Sequence, residues 1–90
     1  MEVWELNLLH DGDTKQICVC SDEQPLFEMA IDRAFNLFAE INEWPLKQEY
    51  CHASINVNVQ LRSIFVKIST QDDNTVEIWE YKWSCIYNES

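Results

Sequence analysis

The sequence is poor in glycine, proline and basic residues: its 90 residues include one Gly, two Pro and six Lys or Arg. A single glycine leaves no glycine-rich phosphate-binding loop and no flexible linker between domains. No apolar stretch approaches the roughly 20 residues that a membrane-spanning helix needs. We therefore expect a single domain over residues 1–90 that has no membrane as a partner.

The N-terminus, Met1-Glu2-Val3-Trp4-Glu5, also lacks the basic and apolar regions of an export signal. We therefore expect a cytoplasmic protein whose cysteines stay reduced; these are Cys18, Cys20, Cys51 and Cys85. Neither Cys18 with Cys20 nor Cys51 with His52 has the spacing of zinc ligands on a turn. We expect small apolar side chains in or near a core, and no metal or cofactor.

Negative charge dominates the composition, because 16 acidic residues against six basic ones give a formal net charge of −10. Such a chain repels nucleic-acid backbones and anionic membranes and attracts basic surfaces. Direct binding of nucleic acid is therefore close to excluded, and the expected partners are basic proteins.

Alternation of apolar and polar residues predicts most of the secondary structure. Residues 3–9 and 16–20 are predicted strands, joined into a hairpin by the turn signal Asp11-Gly12-Asp13. Three more strands are predicted at residues 51–61, 64–69 and 75–87, the last two joined by a turn at residues 71–74. With one helix between the second and third strands, the order is ββαβββ. This order predicts an α+β fold: an antiparallel sheet with one amphipathic helix packed on one face.

The helix is the clearest single element. Ser21 or Asp22 is a suitable N-cap, and Pro25 is tolerated in the first turn. One apolar stripe then recurs at spacings of three and four; it comprises Leu26, Phe27, Ala30, Ile31, Ala34, Leu37, Phe38 and Ile41. Because Pro45 disfavours helical geometry at the preceding residue, the helix is expected to end near Asn42.

The last strand has apolar residues at both parities. Val76 and Ile78 share one parity, whereas Trp79, Tyr81 and Trp83 share the other. Either a β-bulge switches the faces near Ile78, or both faces of this strand are covered.

The sequence offers little that suggests catalysis. His10 follows the first strand and His52 lies in the third, without a recognisable arrangement of nucleophile and base. Cys51 and His52 are neighbours on a strand, so they point to opposite faces and cannot act as a pair. We expect a protein that is not an enzyme.

Carboxylates recur along the helix at a spacing that favours a binding function. Glu28, Asp32, Asn36 and Glu40 follow one another at intervals of four residues, and Glu43 continues the acidic run. Four residues advance about 6 Å along a helix, which is close to the roughly 6–7 Å between phosphates of one nucleic-acid strand. The alternative is an ordinary solvated helix face. Residues 21–49 carry seven acids and two bases, so this segment is the most acidic of the chain.

Aromatic residues supply the second candidate surface. Trp79, Tyr81 and Trp83 project from one face of the last strand, and Trp44 follows the helix. Trp and Tyr are enriched at binding hot spots, but Trp79 and Trp83 could equally complete the core. The candidate partner-binding residues are therefore Asp22, Glu23, Glu28, Asp32, Glu40, Glu43, Trp44, Trp79 and Trp83.

In its size, its charge and its acidic stretches, the chain resembles the small acidic inhibitors encoded by bacteriophages. The helix Glu28–Glu43 and the hairpin acids Asp11 and Asp13 carry this resemblance. It implies a DNA-mimic anti-restriction or anti-CRISPR protein of the host cytoplasm, whose partner is a nuclease or a CRISPR effector.

Two alternatives stay open. An immunity protein or antitoxin that neutralises a basic nuclease toxin would use the same electrostatics. A structural module that forms a homodimer through its aromatic strand would instead depend on Trp79 and Trp83.

Overall fold

A computed structural model describes residues 1–43 and 51–89. Its elements are β1 (Glu2–His10), β2 (Asp13–Cys20), α1 (Glu23–Asn42), β3 (Cys51–Asn58), β4 (Ser63–Thr70) and β5 (Thr75–Asn88). The strands form one antiparallel sheet in the order β2-β1-β5-β4-β3, and α1 packs across one of its faces. The predicted α+β fold with the order ββαβββ is confirmed. Within the described ranges, no helix has the length and apolar character needed to cross a membrane.

The first hairpin has a two-residue turn. His10 pairs directly with Asp13, so Asp11 and Gly12 alone make the connection. Both have positive φ, 57° and 82°, which is the geometry that matches the twist of the two strands. Because the turn is this tight, β2 begins at Asp13 rather than at the predicted residue 16.

The helix begins after Asp22, which has an extended backbone and makes no side-chain capping hydrogen bond. It ends at Asn42, as the sequence predicts; Pro45, to which we attributed that end, lies outside the described residues. The predicted apolar stripe faces the sheet. Its most deeply buried members are Leu26, Ala30, Ala34 and Ile41.

The core lies between α1 and the helix-covered face of the sheet. Directly opposed residues of antiparallel strands share a face, and three rows of them build this core. Leu6 pairs with Trp83, Leu8 with Tyr81, and Val66 with Trp79. The other face of the sheet, called the open face below, carries Phe65, Ile78 and Glu80 and is not covered by the helix.

Strand β3 is shorter than its sequence pattern suggests. Alternation continues through Val59 and Leu61, but the strand ends at Asn58 and residues 59–62 form a turn. The Asn58 side chain accepts a hydrogen bond from the Leu61 amide at 3.0 Å, and Arg62 has a φ of 53°. The predicted strand over residues 51–61 is therefore wrong in its last three residues.

Strand β5 contains a β-bulge, but the bulge lies at Val76 and does not switch the faces near Ile78. The pairing with β4 shifts between Glu77 and Thr75, which leaves Val76 without a partner on β4. Beyond the bulge, Trp79 lies on the helix-covered face and Ile78 lies on the open face.

Candidate interaction surface

The outer side of α1 carries a row of carboxylates. Glu28, Asp32, Glu40 and Glu43 are all exposed, and we call these four residues the acidic helix face. They point away from the sheet because the apolar stripe occupies the opposite side of the helix. At 1.5 Å per residue, the row from Glu28 to Glu43 extends over about 22 Å.

These charges have little local compensation. Gln24 donates a hydrogen bond to Glu28 at 3.4 Å, and Asn36 donates one to Asp32 at 3.5 Å. The ion pairs seen among residues 1–43 and 51–89 involve none of the four carboxylates. No basic residue lies in the last helical turn, where the helix dipole is already negative. Arg33 is the one basic residue of α1, so the acidic helix face has a negative net charge.

Phe35 lies in the same region, although its importance was not recognised from the sequence. Its side chain is 48% exposed. Phe35 follows Asp32 by three residues, so the two side chains are neighbours on the helix surface. The sequence already indicated this exposure, because Phe35 falls outside the apolar stripe of the helix.

Glu23 has a structural role that the sequence did not indicate. Its carboxylate accepts a hydrogen bond from the Trp83 indole at 3.1 Å and pairs with the Arg62 guanidinium. Arg62 in turn lies 5.1 Å from the ring centroid of Trp4. Glu23 therefore fixes the start of α1 to the sheet; its side chain is 38% exposed, and its role in partner binding stays a prediction. Asp22, beside it, is exposed.

The aromatic residues of β5 are core residues. Trp79 is 7% exposed, Tyr81 6% and Trp83 1%. Trp79 and Trp83 therefore complete the core, which is the alternative that the sequence left open, and they offer almost no exposed surface to a partner. A homodimer through this aromatic strand would have to use the same buried side chains. Trp44, the other predicted anchor, lies outside the described residues.

The hairpin acids that carry the resemblance are exposed. Asp11 lies in the two-residue turn of the first hairpin, and Asp13 is the first residue of β2.

Both histidines have carboxylate neighbours. The Nε2 atom of His10 lies 2.9 Å from the Glu77 carboxylate, and the His10 ring stacks on Trp79 with centroids 4.6 Å apart. The Nε2 atom of His52 lies 3.6 Å from the carboxylate of Asp73. These contacts tie the last residue of β1 to β5, and β3 to the β4–β5 turn.

The cysteines do not form a larger metal-binding group. The Sγ atoms of Cys18 and Cys20 lie 3.6 Å apart on the helix-covered face. The hydrogen bond with Cys18 raises the pKa of the Cys20 thiol, with smaller contributions from burial and from the charges of Cys18 and Asp22. Across residues 1–43 and 51–89, no cluster of three or more His, Cys, Asp or Glu residues is placed to hold a metal ion.

Comparison with known proteins gives no match: no family model, curated protein or solved structure matches the chain. The fold and the acidic helix face are therefore the basis for any statement about function.

Proposed function

We propose that this protein is a non-enzymatic inhibitor that binds the basic nucleic-acid-binding surface of another protein through its acidic helix face. One observation carries the proposal. Four exposed carboxylates lie on one side of a single helix, and the described residues provide none of them with an ion-pair partner.

The geometry of the row suits a groove that binds phosphates. Glu28 and Asp32 are one step of four residues apart, which corresponds to about 6 Å along the helix. Lysine and arginine side chains that are spaced for successive phosphates would meet this pair at a similar interval. Asn36 occupies the next step, and Glu40 follows Asp32 by eight residues, or about 12 Å. The helix sets the spacing of the backbone positions before binding, and each exposed carboxylate side chain still loses rotamer freedom when it is bound.

Phe35 supports the same surface as a contact site. Complementary charge steers association and gives specificity, whereas tight binding also needs apolar contact at the centre of the interface. Phe35 provides an exposed aromatic ring directly beside Asp32. A partner that has an apolar depression within its basic groove would fit both features.

The class-level resemblance to phage-encoded inhibitors extends this proposal to a target. We infer that the partner is a nuclease or CRISPR effector of a host defence system and that the inhibitor acts in the host cytoplasm. An immunity protein directed against a basic nuclease toxin would use the same surface. A toxin gene directly beside the gene for this protein would favour that alternative, whereas a position among phage early genes would favour the inhibitor.

The proposal is tested by affinity capture from bacterial lysate at low salt, followed by salt elution and mass spectrometry. The variant Glu28→Lys/Asp32→Lys reverses two charges on the acidic helix face. We expect the wild type to retain a nucleic-acid-binding protein that a few hundred millimolar salt releases, since charge-based binding is screened. We expect the variant to lose it.

A matched control separates this surface from net charge alone. Asp72→Lys/Glu89→Lys changes the net charge by the same amount, from −10 to −10 + 4 = −6. Both of its positions are exposed and neither is on α1, because Asp72 lies in the β4–β5 turn and Glu89 follows β5. The control is expected to capture the same partner as the wild type. If both variants lose the partner equally, or if the helix variant keeps it, the acidic helix face is not the binding site.

A further inference from the structure

The open sheet has two edge strands, β2 and β3, and they differ in how they avoid pairing with other chains. Strand β2 contains the charged residues Asp13 and Lys15, and it bulges at Ile17, which has no partner on β1. Bulges and charged residues are the usual means by which an edge strand is protected. Strand β2 is therefore a poor template for another strand.

Residues 51–58 of β3 contain neither a bulge nor a residue with a full charge. All eight of its residues pair in regular register with β4, from Cys51 with Thr70 to Asn58 with Ser63. Residues 51–58 include no proline and no Asp, Glu, Lys or Arg. Within the described residues, no strand lies on its outer side. A regular, uncharged edge that no described strand covers is a template for pairing with another strand.

The net charge of the chain also bears on which partner can pair with the edge of β3. Each copy of the chain carries a net charge of −10, so two copies repel each other over most of their surfaces. Residues 51–58 include no Asp, Glu, Lys or Arg, so a second copy meets no like charge on this strand itself. A basic partner, in contrast, is drawn to the acidic helix face.

We propose that β3 pairs antiparallel with β3 of a second copy of this chain, so that two sheets join into one sheet of ten strands. The twofold axis of such a pair is perpendicular to the sheet, which places both helices on the same side. The symmetric register that we infer sets Ile55 opposite its own counterpart. Val57 then faces the counterpart of Ala53, and Asn56 faces the counterpart of Ser54.

The side chains of β3 are self-complementary in this register. On the helix-covered face, Ile55, Val57 and Ala53 meet only one another, and Val57 is 40% exposed in the single copy. On the open face, the amide of Asn56 meets the hydroxyl of Ser54. Cross-strand pairs of like polarity are the contacts that stabilise a sheet.

Sedimentation velocity tests the proposal on the full chain, at concentrations from a few micromolar to a few hundred micromolar. The wild type is expected to shift from monomer to dimer over this range. The variant Asn56→Glu places two carboxylates diagonally across the twofold axis, roughly 7–8 Å apart. We expect it to raise the dissociation constant of the dimer by about tenfold or more, because like charges oppose each other across the interface.

The control is Thr14→Glu, which adds the same charge at an exposed position on the open face of the other edge strand. Its dissociation constant is expected to match that of the wild type. Circular dichroism checks that both variants keep the fold. A wild type that stays monomeric throughout, or equal weakening by the two variants, would overturn the proposal.

Two further measurements on the wild type do not depend on a variant. Added salt is expected to strengthen the dimer, because it screens the repulsion between two acidic copies. Binding of a basic partner should weaken under the same change, so the two proposals fail independently. Amide hydrogen exchange in β3, but not in β2, should slow as the protein concentration rises. Exchange in β3 that is independent of concentration would contradict the pairing.

Discussion

Glu23 shows how one residue joins the helix to the sheet. It lies in the first turn of α1, where a negative charge is favourable, and it accepts the hydrogen bond of the buried Trp83 indole. Arg62 balances the charge from the β3–β4 turn. Glu23 thus makes a structural contact between α1 and the sheet, although in the sequence it looks like the other carboxylates of the helix.

Replacing Glu23 with Ala is therefore expected to destabilise the protein by about 2 kcal/mol. The Trp83 donor, which is 1% exposed, would lose its acceptor, and such a loss typically costs about 1–3 kcal/mol. Glu23→Gln keeps an acceptor and should cost less. Glu28→Ala is the matched control on the exposed side of the helix, where we expect a change within about 0.5 kcal/mol. Urea unfolding measures all three, and equal stability of the Ala variants would contradict the role of Glu23.

Tyr81 gives the protein a dependence on alkaline pH. Burial raises the pKa of its phenol in the folded state, and the charge of Arg33 lowers it by a smaller amount. The unfolded chain therefore loses this proton first, from about pH 10. The stability that the neutral phenol contributes is fully present below that pH and is lost as the pH rises through the folded pKa.

We expect Tyr81→Phe to show a shallower loss of stability than the wild type between about pH 9 and pH 11. Urea unfolding at several pH values gives the two slopes. Identical slopes would show that Tyr81 does not titrate differently in the folded and unfolded states.

Among the elements, those with strong local signals were predictable from the sequence. The helix has a continuous apolar stripe at spacings of three and four residues. The first hairpin has an Asp-Gly turn, and both of its residues adopt positive φ. The end of β3 was not predictable by the same means. Its alternation continues into Val59 and Leu61, and the turn is closed by Asn58 and by Arg62, which is an unusual residue at positive φ.

The side of β5 that faces the helix was also beyond the sequence pattern. The alternation of a strand places Trp79 and Trp83 on one face and Ile78 on the other, but it does not indicate which face the helix covers. Packing decides this, because Trp79 lies opposite Val66, and Trp83 lies opposite Leu6. The acidic helix face was predictable because it is the complement of the apolar stripe on the same helix.

The turn of the first hairpin supports a prediction at this scale. Gly12 has a φ of 82°, and an added Cβ would meet no atom within 4 Å, so backbone conformation alone opposes substitution. We expect Gly12→Ala to destabilise the protein by about 1–2 kcal/mol, the usual cost of a left-handed residue. Gly12→Asn should cost less, because asparagine tolerates this region. Thermal unfolding compares the variants, and an Ala variant as stable as the wild type would refute the argument.

At the scale of the whole molecule, the structure separates two surfaces of different character. The acidic helix face lies on one side of the sheet, away from the core. The uncharged edge of β3 lies at the margin of the sheet. A dimer through β3 would place two acidic helix faces on the same side, which would let one dimer bind two basic sites or one extended groove.

The central claim is that the acidic helix face occupies a surface that otherwise binds nucleic acid. It is tested most directly by competition between this protein and a labelled nucleic-acid duplex for the captured partner. We predict that added protein displaces the duplex fully, and that Glu28→Lys/Asp32→Lys fails to displace it while Asp72→Lys/Glu89→Lys still does. A complex that contains partner, duplex and this protein together would contradict the account.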